Sequence, residues 1–587
     1  MKKTLDKLKK YKWPTWLGVV LLLIFALLHL NLVSKTFVID DRESIHSTIE
    51  GFGDTPLHLT QISKFAYNPK FDLNDPIFLE EKLHYPFLVN LFSGLLLRFT
   101  GWFTFSVVFP IYFLVIANLL LLILIYNKLF KNLLLTAVSV WMFMLGSGIS
   151  GLTYLFNAVL QQRSLGLIIQ DILDKGVHTI VFFEASYPAQ NINFGAPLSL
   201  VLIHQRAFLL GLSGFLVFLY LILLFETQPL PTWKRTFLLG LPFGLLPLMH
   251  THSFVAASLV LAAYGLILLW GRQWSKFKRL LITAIGGSII ALPQLWYLVG
   301  TKSLFSSAGS FTRFRLGFMV EPGIGAVQYP TDAVRSVFSW AYLSFMSVNF
   351  GLIFFLFILC LVIFLFRKKL RVRVDNNIPS LFLLSSVIIF FVVQTVQFQP
   401  WDFDSNKLLL YYQLFSAPFI LWLLSEIFKT KKMLLGVLTV TIFIGATLTG
   451  FMDIAPRVAA REKDLPVIFD DSARHLADFV IKTLPDQLIL TSTTHLNPIS
   501  SLSGRGVLLG YPGWLWTRGL NYSDRENEIK QFYQDPEQNS GILIKYSVGY
   551  VLLDLMAEKD YGADRKIFDG LFDKIFEDGQ YVLYRVK

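Results

Sequence analysis

The sequence predicts a polytopic α-helical membrane protein that ends in a small α/β domain outside the membrane. Three observations carry this prediction. The 587 residues are 54% hydrophobic, with a mean hydropathy of +0.56. Apolar runs of about 20 residues recur, as a hydrocarbon core roughly 30 Å thick demands. The loops between the runs sort by charge. Residues 1–12, 126–131, 226–235, 271–279, 367–373 and 428–432 are short and basic, whereas the intervening loops hold nearly all the Asp, His and Trp-Asp combinations. Lys and Arg mark cytoplasmic loops, so the chemistry belongs on the opposite side.

About eleven spans are expected, over residues 14–33, 104–126, 133–150, 197–225, 237–249, 253–271, 279–300, 345–366, 378–398, 407–427 and 434–452. The start, MKKTLDKLKKYKWPTW, has the basic character of a signal peptide, but no small-residue cleavage site follows the apolar run 17–33. A retained first helix is the expectation. With the N-terminus inside, every basic loop falls inside and the chain emerges outside after Met452. Residues 85–99 are apolar but short, and as a full span they would invert everything after them. They are expected to form a helix at the outer interface. Three outer segments are long: 34–102, 151–195 and 301–341.

Residues 1–452 thus make a transmembrane domain with a large first outer loop, and 453–587 an extracytoplasmic domain. The latter mixes polar and apolar residues without a span. Its alternation predicts strands at 488–491, 551–555 and 581–586, and helices at 472–484, 525–533 and 567–577.

The net charge of +12 sits largely in the short inside loops, where anionic headgroups explain it better than nucleic acid does. The single cysteine, Cys360, lies in an apolar span, so neither an intramolecular disulfide nor a thiolate metal site is expected. No phosphate loop, dinucleotide fingerprint, zinc spacing or serine elbow is present, which disfavours a nucleotide-using enzyme.

The residues with chemical potential cluster outside. The first outer loop opens with Asp40-Asp41-Arg42-Glu43 and continues Gly51-Phe52-Gly53-Asp54-Thr55-Pro56-Leu57-His58. On a helix beginning near Asp54, that carboxylate and His58 face one site. Such a pair suits a general base or a divalent cation. Asp before Thr-Pro is equally a helix start. Further on, His84 and Tyr85 lead into the interfacial helix, as site residues or as interface anchors. Arg206, in His204-Gln205-Arg206, sits near the outer end of an apolar helix and suits a phosphate, or snorkels. The turn Trp401-Asp402-Phe403-Asp404-Ser405-Asn406-Lys407 packs two acids, an amide, an ammonium and an indole together. Its rings suit a sugar face, Asp402 and Asp404 its hydroxyls, and Lys407 a lipid phosphate. An aromatic interface belt is the plainer reading. In the tail, Thr494-His495-Leu496-Asn497-Pro498 and Gly510-Tyr511-Pro512-Gly513-Trp514-Leu515-Trp516 suggest either a ring-stacking surface or a docking face.

A first helix, a large outer loop with an acidic residue, a Tyr-Pro entry to an interfacial helix and then a second span resemble the GT-C superfamily. These are membrane glycosyltransferases that use polyprenyl-phosphate sugars, and include protein O-mannosyltransferases and the aminoarabinose transferases of lipid A. The resemblance spans about the whole chain. It implies a transferase acting from a polyprenyl-phosphate-linked donor on a lipid, glycan or protein hydroxyl, with inversion and with the carboxylate base in the first outer loop. Asp54 is then the first candidate, with Asp40 and Asp41 behind it. Arg206 and Lys407 would neutralise the leaving phosphate, and His58, His84, Tyr85, Asp402 and Asp404 would bind or orient substrate. The resemblance leaves room for a divalent cation, Mg²⁺ or Mn²⁺. Where the family often has paired acids, this chain has Asp-x-x-x-His.

Two other functions fit a polytopic chain with a large outer loop. A transporter or flippase for a lipid-linked glycan would carry buried charge deep in several spans, and here His29 and Asn118 are isolated. A glycan polymerase or ligase separates from a transferase only by assay.

Overall fold

The computed structural model describes residues 13–49, 51–176, 194–227, 232–299, 313–314, 340–367, 369, 372, 374, 376–398 and 406–587. Helix α1 (Trp13–Ser34) leads to the first loop, which holds strands β1 (Val38–Ile39) and β2 (Ile45–His46) and helices α2 (Gly51–Tyr67) and α3 (Leu88–Thr100). Then come α4 (Phe103–Phe130), α5 (Leu133–Leu145), α6 (Ser150–Leu160), α7 (Arg206–Thr227), α8 (Leu241–Met249), α9 (Thr251–Trp270), α10 (Trp274–Val299), α11 (Trp340–Leu365), α12 (Ile378–Thr395), α13 (Asn406–Ile427) and α14 (Lys432–Ala459). Among the described residues nine helices are long and apolar enough to cross a membrane, and α5 with α6 makes a tenth if that pair, bent by 75°, is one span. A bend inside a bilayer frees carbonyls that water cannot reach. Here Gln413 on α13 donates to the carbonyls of Met142, Phe143 and Gly146. Gly148 then lets α11 approach so closely that a Cβ would stand 1.4 Å from the Val348 carbonyl oxygen.

Three expected spans differ, and the first, 133–150, is divided between α5 and the start of α6. Residues 237–249 are divided between a short helix (Trp233–Leu238) and the nine-residue α8, because Gly240-Leu241-Pro242 breaks the run. Residues 197–225 do not form one helix. A π-helical turn (Leu198–Leu202) and a short turn precede α7, which begins at Arg206. Residues 85–99 do give a short helix, α3, of 13 residues. At 1.5 Å per residue it reaches about 20 Å, too short to span. It buries Val89, Asn90, Ser93, Gly94 and Leu97, and its Phe99 is exposed.

After α14, which runs past Met452 to Ala459, come β3 (Val467–Phe469), α15 (Asp471–Thr483), β4 (Leu488–Leu490), α16 (Pro498–Ser503), α17 (Pro512–Thr517), α18 (Ser523–Gln534), β5 (Val548–Leu553), α19 (Arg565–Leu571), β6 (Asp573–Asp578) and β7 (Tyr581–Arg585). The last four strands form a sheet in the order β4-β5-β7-β6, parallel between β4 and β5 and antiparallel elsewhere. The helix expected over 567–577 ends at Leu571. Residues 573–578 turn at Gly579, whose φ is +53°, into a hairpin with β7. Pairing against Tyr581–Arg585 overrides the local helical pattern.

The tail is not separate from the first loop. β2 pairs with β1 on one side and with β3 on the other. One apolar cluster joins Phe37, Ile45, Leu59 and Ile62 to Ile468, Leu476, Ile489 and Ile499. Against α2, Ser501 bonds Thr60 Oγ1 and the Pro56 carbonyl, and Ser63 Oγ donates to the Ser501 carbonyl. Gly504, at φ +71°, lies so close that a Cβ would stand 2.4 Å from the Ser63 oxygen. Lys35 Nζ donates to the Arg457 and Val458 carbonyls that end α14, where a cation is favoured.

Candidate active site

The site is built around the first turn of α2. The Thr48 hydroxyl accepts from the Gly51 N–H (3.2 Å) and starts the helix. Asp54 then lies in its first turn, where the helix dipole favours an anion. Its side chain is 37% exposed, and one carboxylate oxygen is 3.8 Å from His204 Nε2. One turn on, His58 is buried. The Asn90 amide of α3 donates to His58 Nδ1 (3.0 Å) and to Gln61 Oε1 (2.8 Å). With Nδ1 accepting, the neutral imidazole carries its proton on Nε2. Burial pushes His58 down to about 4. Asp54 opposes this, while Arg206, His204 and Lys407 add to it. His58 is therefore a neutral hydrogen-bond donor near neutral pH, and these four charged or chargeable groups share its surroundings.

Arg206 is 4% exposed at the start of α7, and its guanidinium donates to Ser93 on α3. Its Nε has no partner among the described residues. No carboxylate neutralises it in the ion pairs described. Buried guanidinium groups normally pair. A narrow cleft lined by Thr36, Phe37, Thr55, His58, His204 and Arg206 connects these groups. His204, on the wall of this cleft with Arg206, stands 3.8 Å from the Asp54 carboxylate.

The other candidates fall elsewhere or remain open. Asp40 shapes the β1–β2 turn: it accepts from the Arg42 and Ser44 N–H groups and from His46 Nε2 (3.0 Å). The His46 bond holds its carboxyl below the usual range. Asp41 is exposed in the same turn. His84 Nδ1 donates to the Tyr297 carbonyl (2.5 Å), and Tyr297 returns a bond to Leu83, which ties the entry to α3 onto the end of α10. The Tyr85 ring stands edge-on to His58 with centroids 6.5 Å apart. Asp402 and Asp404 lie outside the described residues, as do residues 177–193 of the second outer segment and most of the third. Among the described residues no group of three His, Cys, Asp or Glu side chains is placed to hold a metal ion. For Mg²⁺ or Mn²⁺, the first turn of α2 offers Asp54 together with His204.

His204, Asn90, Gln61 and Ser93 join the site without having been selected from sequence. Asn90 and Ser93 are polar residues on the buried stripe of an otherwise apolar helix, a readable signal once that stripe is drawn. From the tail, His495 Nε2 and Trp514 Nε1 both donate to the Gly53 carbonyl. Burial lowers His495, opposed by its bond to Gly53 and by Asp54.

No family model and no curated protein matches the chain. Solved structures do. The Archaeoglobus fulgidus oligosaccharyltransferase in its apo form aligns over 96% of this chain and 73% of its own, at TM-score 0.51 and 12% identity. AglB from the same organism, in complex with an inhibitory peptide and a dolichol-phosphate, aligns over the same shares at TM-score 0.53 and 12% identity. ArnT from Cupriavidus metallidurans bound to undecaprenyl phosphate aligns over 97% of each chain at TM-score 0.44 and 10% identity. The chain thus shares the overall fold of the Archaeoglobus fulgidus oligosaccharyltransferase.

Proposed function

We propose that the protein transfers a sugar from a polyprenyl-phosphate donor to an acceptor hydroxyl outside the cytoplasm. Arg206 carries this reading: a buried guanidinium bonded, among the described residues, to Ser93, in a cleft whose His204 stands 3.8 Å from the Asp54 carboxylate. The donor enters from the lipid with its phosphate at Arg206 and near Lys407. Asp54 takes the proton of the acceptor hydroxyl as its oxygen attacks the anomeric carbon. The bond from that carbon to the phosphate oxygen breaks, and the electron pair leaves with the phosphate, which the two cations neutralise. Attack opposite the leaving group inverts the anomeric centre. His58, a neutral donor beside Asp54, orients the sugar or the carboxylate, and Tyr85 closes that side. The basic loops put the N-terminus inside and residues 453–587 outside, which external labelling of a cysteine placed at Ser540 tests.

The likeness to an oligosaccharyltransferase solved with a peptide supports a second reading of the acceptor, a polypeptide side chain. The deciding experiment incubates purified protein in detergent with a panel of radiolabelled polyprenyl-phosphate sugars and follows release of polyprenyl phosphate with lipid, glycan or peptide acceptors. Release by the wild type and its loss in Asp54→Asn are expected. A wild type that consumes no donor with any acceptor class overturns the transferase reading.

A further inference from the structure

A general base has to be aimed as well as supplied. In this chain the aiming comes from residues more than 400 positions away. The Gly53 carbonyl receives His495 Nε2–H at 3.1 Å and Trp514 Nε1–H at 3.2 Å, across 442 and 461 residues. The Phe52 ring stacks on the same imidazole, with centroids 5.1 Å apart and planes 23° from parallel. Tyr511 and Trp514 pack around it at 4.9 and 5.0 Å. Residues 52 and 53 are thus gripped from the tail immediately before Asp54.

The Gly53 carbonyl and the Asp54 N–H belong to one rigid peptide plane. Rotation of that plane swings the Asp54 Cα–Cβ bond, and with it the carboxylate. A Cβ built on Gly53 would meet nothing within 4 Å, so no side-chain packing at that position resists the rotation. The Phe52 carbonyl also lacks its usual helical donor, because Pro56 has no N–H. This first turn is therefore one helical bond short.

We propose that His495 and Trp514 are positioning residues, which fix the direction of the Asp54 carboxylate through the Gly53 carbonyl so that transfer requires the C-terminal domain to be seated on α2. The proposal rests on the reading of Asp54 as the base. It makes the tail a working part of the catalytic centre, not only a cover over it.

The test separates the donated hydrogen bond from ring packing. His495→Phe keeps the stack on Phe52 and removes the donor, whereas His495→Gln restores an N–H donor. Trp514→Phe removes the second donor. A carboxylate displaced by about 1 Å costs on the order of a hundredfold, so the double variant His495→Phe/Trp514→Phe should lose about ten- to a hundredfold in kcat. Acceptor KM and affinity for polyprenyl phosphate should stay within about twofold, and His495→Gln should recover most of the loss of His495→Phe. A raised acceptor KM with kcat intact would make the cluster an acceptor-stacking surface and overturn positioning. Equal losses in His495→Gln and His495→Phe would reduce it to packing. A second measurement needs no turnover. In a Cys360→Ser background, which removes the chain's one cysteine, Asp54→Cys is alkylated with and without the two Phe substitutions. A severalfold faster reaction in their presence supports the grip, and an unchanged rate overturns it. Failure of the transferase reading shows separately, as a wild type that consumes no donor.

Discussion

Replacing Asp54 by Asn separates a catalytic carboxylate from a structural one, because the structure bounds what the charge does for folding. In the first turn of α2 an anion gains about 0.3–1 kcal/mol from the helix dipole at an exposed position. The contact with His204 is 3.8 Å long on a side chain 37% exposed, so solvent limits it to about 1 kcal/mol. Removing the charge therefore costs at most about 2 kcal/mol of stability, and Asn recovers part of that by hydrogen bonding. Loss of a positioned base costs about 10²–10⁴ in turnover, which corresponds to about 2.7–5.4 kcal/mol of barrier. The variant should melt within a few degrees of the wild type in detergent, yet release polyprenyl phosphate at least about a hundredfold more slowly. Turnover within about threefold of wild type, or a loss no larger than the loss of folded protein, would refute the assignment. If Asp40→Asn or Asp41→Asn is inactive instead, the role moves to the earlier turn. Normal turnover in all three removes a carboxylate base from this loop.

Arg206→Gln should weaken polyprenyl-phosphate binding about ten- to a hundredfold, the worth of a charge-assisted contact, while leaving melting unchanged or higher because a buried, poorly paired cation is gone; unchanged lipid affinity returns Arg206 to a structural role. The pH dependence of stability follows from His58. Burial pushes it down from 6.5 to about 4, so between those values the unfolded chain binds a proton that the folded chain does not. Its contribution is complete above about pH 6.5 and falls as pH drops toward 4, by about 3 kcal/mol in all. Melting curves of wild type and His58→Gln should diverge across that window, with the variant flatter; identical slopes would sink the account. Gly504→Ala should destabilise by about 1–3 kcal/mol, because φ is +71° and the new Cβ would press on the Ser63 carbonyl. Unfolding of the wild type and of this variant by urea measures the difference, and a change under about 0.5 kcal/mol contradicts the close contact.

Most of the membrane body was legible in the sequence because a long apolar run has few alternative fates. Residues 85–99 were readable as a short helix for the same reason, since they are too few to cross. Where Gly and Pro interrupt a run, as at Gly240-Leu241-Pro242, hydropathy alone reads one helix where the backbone makes two short ones. Residues 573–578 carried a helical pattern, and only the hairpin partner at 581–585 turns them into a strand. The start of α2 was readable from Gly-x-Gly-Asp-Thr-Pro, which is local, while the prominence of Asp54 came from His58 four residues on and from the family resemblance. The neighbours of Asp54 are not local. His204 and Ser93 reach the site through the packing of α7 and α3, and nothing in their own surroundings names that contact. Asp40 shows the reverse case: an acid in a promising loop whose oxygens are occupied by its own turn and by His46. Two-residue strands such as β2 have no period to detect, so the join between loop and tail was invisible.

That join sets a timetable for biosynthesis. His46 Nδ1 donates to the Leu465 carbonyl, 419 residues downstream, an interval of roughly 20–80 s at ordinary elongation rates. Throughout it, β2 has an open edge and the face of α2 that α16 will cover lies bare. The residues that brace the first turn of α2 are synthesised later still. The loop that carries Asp54 therefore leaves the ribosome early and waits, incomplete, while almost every span is inserted. A chain stopped after α14 would hold its full membrane body and an unbraced Asp54, and on the role proposed for that carboxylate a newly made molecule would begin transfer only after its last segment had folded back onto its first loop.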